Sequence, residues 1–164
     1  HNTDSVVVRL FNTYGPGEWY HPFRSVNCTF TYNLLHNKPV RVYKGHTRTS
    51  TYIYDCARTL ANIVDNFKSG ETYNIASNQH HSIEELIRLI LKATGASEDL
   101  VVYDEKSEIL TTKDKLVNSD KSREDLNHQD TVLLEDGVNR TVKWMRDYYK
   151  LSNQGSFDVD TIGC

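Results

Sequence analysis

The stretch from Ser5 to Phe11, SVVVRLF, limits the fold more than any other feature. It is rich in β-branched residues and almost continuously apolar, the pattern of a strand buried on both faces of a parallel sheet. It runs straight into Asn12-Thr13-Tyr14-Gly15-Pro16-Gly17, a strong loop signal. Open α/β sheets place their ligands where a parallel strand feeds such a loop. The fold class is therefore expected to be α/β, with Asn12 the first side chain in reach of a ligand.

The rest of the chain supports that reading. Val26, Phe30 and Leu34 form one face of a helix near Val26 to His36, ended by Asn37-Lys38-Pro39. Val40 to Tyr43 and Thr51 to Ile53 are expected as short strands, with Lys44 to Ser50 a polar loop between them. Asp55 is placed as the N-cap of a helix carrying Ala57, Leu60, Ile63, Val64 and Phe67 inward, with Gly70 at its C′ position. Thr72 to Ala76 reads as a strand. Ser82-Ile83-Glu84-Glu85 is a capping-box pattern opening a helix that shows Ile83, Leu86, Ile87, Ile90 and Leu91 and stops at Gly95. A strand at Leu100 to Tyr103, a loop from Glu105 to Asn118, a short helix at Lys121 to Leu126 and an amphipathic helix from Leu134 to Tyr149 complete the order. The small sheet this builds would lean on a larger domain. Residues 1–151 are taken as the folded unit and residues 152–164 as a flexible tail.

Composition removes several classes of function. The 164 residues are 38% hydrophobic and 25% charged, an ordinary globular balance. A net charge of -3 argues against general affinity for nucleic acid. No apolar run approaches the roughly 20 residues of a membrane span. Cys28, Cys56 and Cys164 show no ligand spacing and are expected as free thiols in a reducing, cytoplasmic compartment. The start, His1-Asn2-Thr3-Asp4, lacks an initiator Met, and the chain reads as cut from a longer protein.

Several side chains suit an anionic small ligand. The Asn12 amide is both donor and acceptor, though such a residue also bonds loop backbone. Arg48 can clamp a diphosphate bidentately, with Lys44 and His46 as nearby donors; a solvated surface Arg is the plainer alternative. Arg58 is either exposed or an i,i+3 partner of Asp55. Lys113 and Lys115 lie in a polar loop and either face an anion or stay solvated. Tyr14, Trp19 and Tyr20 either line a sugar pocket or pack beneath a loop. His80-His81 has no matching metal ligands and reads as loop histidines. No Ser-His-Asp or Cys-His arrangement and no Gly-rich phosphate loop is legible.

In order, VVVRLFNTYGPG, NKPVRVY, TRTSTYIYDCARTL, ETYNIASNQHHSIEELIRLI and LLEDGVNRTVKWMRDYY resemble the C-terminal half of extended short-chain dehydrogenases/reductases. That family holds the NAD-dependent nucleotide-sugar epimerases, dehydratases and decarboxylases. The resemblance runs from about Ser5 to Tyr149. It implies a C-terminal substrate-binding portion, a small sheet with flanking helices preceded by a late strand of the Rossmann sheet. It implies that Asn12 meets the phosphate or sugar of a nucleotide-diphosphate sugar and that Arg48 holds its diphosphate. Tyr14, Gly15 and Pro16 would form the loop near the nicotinamide of NAD, with Tyr14 also near substrate. Arg58 and Asp55 would organise the Arg48 segment, and Lys113 or Lys115 would stand for a second diphosphate-binding Arg. The chain departs from the pattern in a shortened loop before Arg48, in Thr49 and Tyr54 for common acidic residues, in Asn118 for Asp, and in Asn127-His128 for Gly-Trp. The catalytic Tyr-x-x-x-Lys pair and the dinucleotide fingerprint of the family are not in this stretch. The parent is expected to be a homodimeric enzyme and the isolated chain inactive. Two other classes stay open: a non-catalytic nucleotide- or sugar-binding regulatory domain of the same fold, and an interaction fragment without a ligand site.

Overall fold

The computed structural model describes residues 3–105 and 112–151. Eight short strands and five α-helices follow one another along them. They are β1 (Val7–Leu10), β2 (Thr13–Tyr14), α1 (Val26–Leu35), β3 (Val40–Tyr43), β4 (Thr47–Thr49), β5 (Thr51–Tyr52) and α2 (Ile53–Asn62). Then follow β6 (Thr72–Ile75), β7 (His80–Ser82), α3 (Ile83–Thr94), β8 (Val101–Asp104), α4 (Asp120–Leu126) and α5 (Leu134–Tyr148). The fold is α/β, as the first strand predicts. The strands pair as four two-stranded ladders: β1 with β6, β2 with β5 and β3 with β8 in parallel, β4 with β7 antiparallel.

The core lies where α1, α3 and α5 close over β3. Phe30 and Leu34, Val40 and Val42, Leu86, Ile87 and Ile90, and Val138 and Val142 meet there, all buried. Period decides this. Val40 and Val42 alternate inward along β3, while the α3 and α5 stripes recur at helical spacing. Local chemistry sets the helix ends. Ser25 Oγ accepts from the Cys28 N–H at 3.1 Å. Ser82 Oγ accepts from the Glu85 N–H at 3.0 Å. Gly95 closes α3 with φ 70° and its N–H on the Leu91 carbonyl at 2.8 Å. Tyr14 and Tyr52 meet edge-on inside, their centroids 5.7 Å apart. Gly137 on α5 lets the Tyr14 ring approach, since any Cβ there would collide with the phenol.

Five sequence expectations are corrected. Asp55 is not an N-cap: α2 begins at Ile53, so Asp55 sits in its first turn and its carboxylate reaches sideways. It accepts from the N–H groups of Thr131 and Val132 at 3.0 and 3.2 Å, from the Thr131 hydroxyl, and from Arg58 at 3.0 Å. That satisfaction is why α2 buries Asp55, Cys56 and Thr59. Its apolar stripe faces out instead: Ala57 is exposed, as are Leu60, Val64 and Phe67. Gly70 lies well beyond the end of α2, in the turn entering β6 with φ 82°. Finally, the Lys44 to Ser50 loop contains β4, and His80-His81 stands on β7, because threonines and histidines there find a ladder across the chain. The tail from Ser152 lies outside the described residues.

Candidate functional site

Two cavities flank β4. β3 turns Arg41 and Tyr43 away from the core that holds Val40 and Val42. The chain then reverses at Lys44-Gly45, with Gly45 at φ 71° and its N–H on Glu84 Oε1 at 2.7 Å. The Ile83 N–H bonds the His46 carbonyl at 2.9 Å. The return along β4 puts His46 and Arg48, two apart on an extended segment, on one side. A cavity of about 190 Å³ results, with Val26, Phe30 and Ile83 as apolar wall and Arg41, Tyr43, His46 and Arg48 as polar wall.

Arg48 donates through Nη1 to the Thr47 and Lys113 carbonyls, at 2.6 and 3.2 Å. Burial lowers its pKa and nearby Asp114 opposes that; a guanidinium keeps its charge regardless. Arg41 pairs with Asp104 at 3.0 Å. His46 is 3% exposed, and its Nε2 has no hydrogen-bond partner among the described residues. Its pKa is pulled below the ordinary value by burial first, then by Arg48 and Lys113, against the pull of Glu84. The net effect favours the neutral ring.

The second cavity, about 460 Å³, is lined by Leu10, Phe11, Asn12 and residues 114–117, Lys115 among them. Asn12 holds a left-handed backbone, φ 43°, and its amide donates to the Thr49 carbonyl at 2.9 Å. The Thr51 N–H bonds the Asn12 carbonyl at 3.2 Å. Asn12 therefore ties the turn after β1 to the strand that carries Arg48, and still borders a cavity. Asp114 stands between the two sites, bonded to the Thr47 hydroxyl and, at 3.0 Å, to His80 Nε2.

The other sequence candidates separate. Tyr14 is 2% exposed and donates to the Leu134 carbonyl at 3.4 Å, so its ring is a packing group. Burial is the main reason its pKa is raised. Gly15 is buried against Ile53, with φ 143° and no room for a Cβ. Pro16 beside it is half-buried. Arg58 is the i,i+3 partner of Asp55 and donates to the Gln129 carbonyl at 2.8 Å, away from both cavities. Lys113 offers its carbonyl to Thr47 and Arg48, and its side chain lies beside Gly45. Trp19 is 56% exposed.

Folding also joins Ser50 to His81 Nε2 at 2.8 Å, with the Asn27 amide on the same hydroxyl at 3.2 Å. His81 Nδ1 faces the Ser82 carbonyl at 3.2 Å, so Nδ1 carries the hydrogen and Nε2 accepts from Ser50. Ser50 and His81 are 5% and 4% exposed, and a sealed pair of this kind is structural. Among the described residues no group of three or more His, Cys, Asp or Glu is placed to hold a metal. Arg41, Tyr43 and Phe30 are the wall residues that sequence reasoning missed. The alternation of buried Val40 and Val42 was the signal for the first two.

Residues 1–76 match the NAD dependent epimerase/dehydratase family. The dTDP-glucose 4,6-dehydratase of Streptomyces niveus is 31% identical over 151 residues, 90% of this chain and 43% of that protein. The UDP-N-acetyl-alpha-D-glucosaminuronate decarboxylase of Bacillus cytotoxicus is 29% identical over 149 residues, 86% of this chain and 46% of that one. The chain is thus similar to proteins of the NAD-dependent epimerase/dehydratase family. It spans less than half the length of these relatives. Its fold matches part of a solved structure: UDP-glucose 4-epimerase of Thermotoga maritima, solved with UDP-glucose, superposes with a TM-score of 0.79. That match covers 88% of this chain and 46% of the epimerase, at 24% identity.

Proposed function

We propose that residues 1–151 are the substrate-binding portion of an NAD-dependent nucleotide-sugar epimerase, dehydratase or decarboxylase. The observation that carries this reading is Arg48. It lines a small cavity with an apolar back wall, and its guanidinium is bonded only to backbone carbonyls among the described residues. Those carbonyls are neutral acceptors that a diphosphate, charged and bidentate, outcompetes.

In this arrangement one ring of the nucleotide base enters the cavity against Phe30 and Tyr43. About 190 Å³ holds part of a ligand, since sites enclosing a whole drug-sized molecule run to roughly 300–1,000 Å³. The diphosphate lies along Arg48, with Lys113 beside it. The sugar extends toward the larger cavity, where Asn12 and Lys115 stand. Fixing the diphosphate orients the sugar ring for chemistry performed by the rest of the parent, a proximity effect.

We propose that the described residues do not form a dinucleotide site by themselves. β1 leads into the two-residue β2, not into a helix, and Gly15 is spent on packing against Ile53. NAD therefore falls to the remainder of a longer parent, and Gly15 and Pro16 stand at most at the edge of its site. A cytoplasmic homodimer is the proposed form of that parent. No helix among the described residues is long and apolar enough to cross a membrane.

Calorimetric titration of the chain with UDP, dTDP, GDP and CDP, repeated with Arg48→Ala, tests the reading. One nucleotide binding at least tenfold tighter than the rest, and losing that affinity in the variant, is the expected result. Affinity unchanged by Arg48→Ala would sink it.

A further inference from the structure

The buried polar atoms without a hydrogen-bond partner among the described residues include Nε2 of His46, whose residue lines the Arg48 cavity, Oε2 of Glu84, whose charge acts on His46, and the Thr49 hydroxyl. Native proteins rarely leave such atoms unpaired, and an exception asks for an explanation. The first two belong to one spot. The other oxygen of the Glu84 carboxylate accepts from the Gly45 N–H at 2.7 Å, against the turn that carries His46. The His46 ring lines the same cavity as Arg48, two residues away on the same side of the chain.

The charged and titratable groups around His46 come from every neighbouring element. Arg48 stands two residues on, in β4, Lys113 on the segment after the undescribed residues, Glu84 on α3, and Arg41 and Tyr43 on β3. Arg48 and Lys113 disfavour a proton on the ring, and Glu84 favours one. The Tyr43 ring lies 5.8 Å from the imidazole, centroid to centroid. A diphosphate arriving at Arg48 reverses this balance. It adds negative charge and draws the two cations toward itself, away from the ring.

We propose that His46 is a second anion-binding side chain of this site, one that takes a proton from solvent as the diphosphate binds. The imidazolium then has two N–H donors, enough for Glu84 on one side and a phosphate oxygen on the other. The proposal rests on the reading of Arg48 as the diphosphate clamp.

UDP-glucose is the probe, with dTDP-glucose as its alternate, because a diphosphate esterified at both ends keeps its charge across neutral pH. Titrations of the chain in two buffers of different ionisation heat, at pH 6, 7 and 8, count the protons taken up. The wild-type chain is expected to take up a substantial fraction of one proton near pH 7 and to bind severalfold more weakly at pH 8 than at pH 6. His46→Gln is expected to bind with no proton uptake and a flat pH profile. Binding by the wild type without proton uptake overturns the proposal, and needs no variant to do so. Equal proton uptake by His46→Gln overturns it as well. Failure of both sugar nucleotides to bind at any pH is a different result: it removes the Arg48 reading, and His46 falls with it.

Discussion

Helices α2 and α3 carry comparable apolar stripes and meet opposite fates. α3 buries Ile83, Leu86, Ile87 and Ile90 between α1 and α5. α2 buries Asp55, Cys56 and Thr59, while Leu60, just beyond them, is 38% exposed. The run that follows α2 continues the pattern, with Val64 83% and Phe67 46% exposed; on β1, Val7 and Leu10 are 52% and 48% exposed. Amphipathicity states that a helix has a face to cover and leaves the cover unnamed. For α3 the cover is in the chain. For α2 and β1 we propose that it is the rest of a longer parent, since the relatives are more than twice as long as the stretch they share.

The largest effect that would sharpen this contrast is Leu86→Ala. Leu86 is fully buried in α3, and the truncation is expected to cost about 3 kcal/mol in chemical denaturation. Leu60→Ala, on the stripe of α2, is expected to cost less than a third of that. Equal losses would break the contrast.

Acid comes next. His46, His81 and His128 are buried, and burial is the first cause lowering each pKa below 6.5. Neutral rings are thus built into the packed side: His128 bonds the Thr59 hydroxyl at 2.7 Å and the Ala76 carbonyl at 3.1 Å. Below about pH 6.5 the unfolded chain binds protons that the native chain refuses. Stability is therefore whole above that value and declines as the pH falls from it toward the lowered native pKa values. A melting temperature unchanged from pH 7 to pH 5 would contradict these assignments.

Smallest in stability is Val64→Ser, expected within about 0.5 kcal/mol because the residue is exposed. Its readout is association. Sedimentation of the wild-type chain at high concentration is expected to show self-association that the variant weakens; a strictly monomeric wild type would mean that the exposed stripe is harmless by itself.

The sequence foretold what has a long period. β1, α3 and α5 were visible because their stripes repeat over several turns or form an unbroken apolar run. β2, β4 and β7 were not, since strands of two or three residues have no period and their partners lie far along the chain. Arg48 and Asn12 were legible as residue types, and the Asp55–Arg58 pair as an i,i+3 spacing. That Tyr14 is core and that Arg41 faces the cavity depended on which way each short strand turns. α2 was misread for a physical reason: a buried carboxylate with four donors competes successfully with leucine for the inner face.

Because β4 is extended, its side chains alternate between the cavity and the opposite side. One residue added to or lost from the Lys44-Gly45 reversal would slide β4 against β7 by a single place and exchange every facing. Arg48 would then point away, and Thr47 or Thr49 would stand in its stead. The facing of Arg48 is thus a matter of count as much as of chemistry: the length of the Lys44-Gly45 reversal decides which side the guanidinium takes.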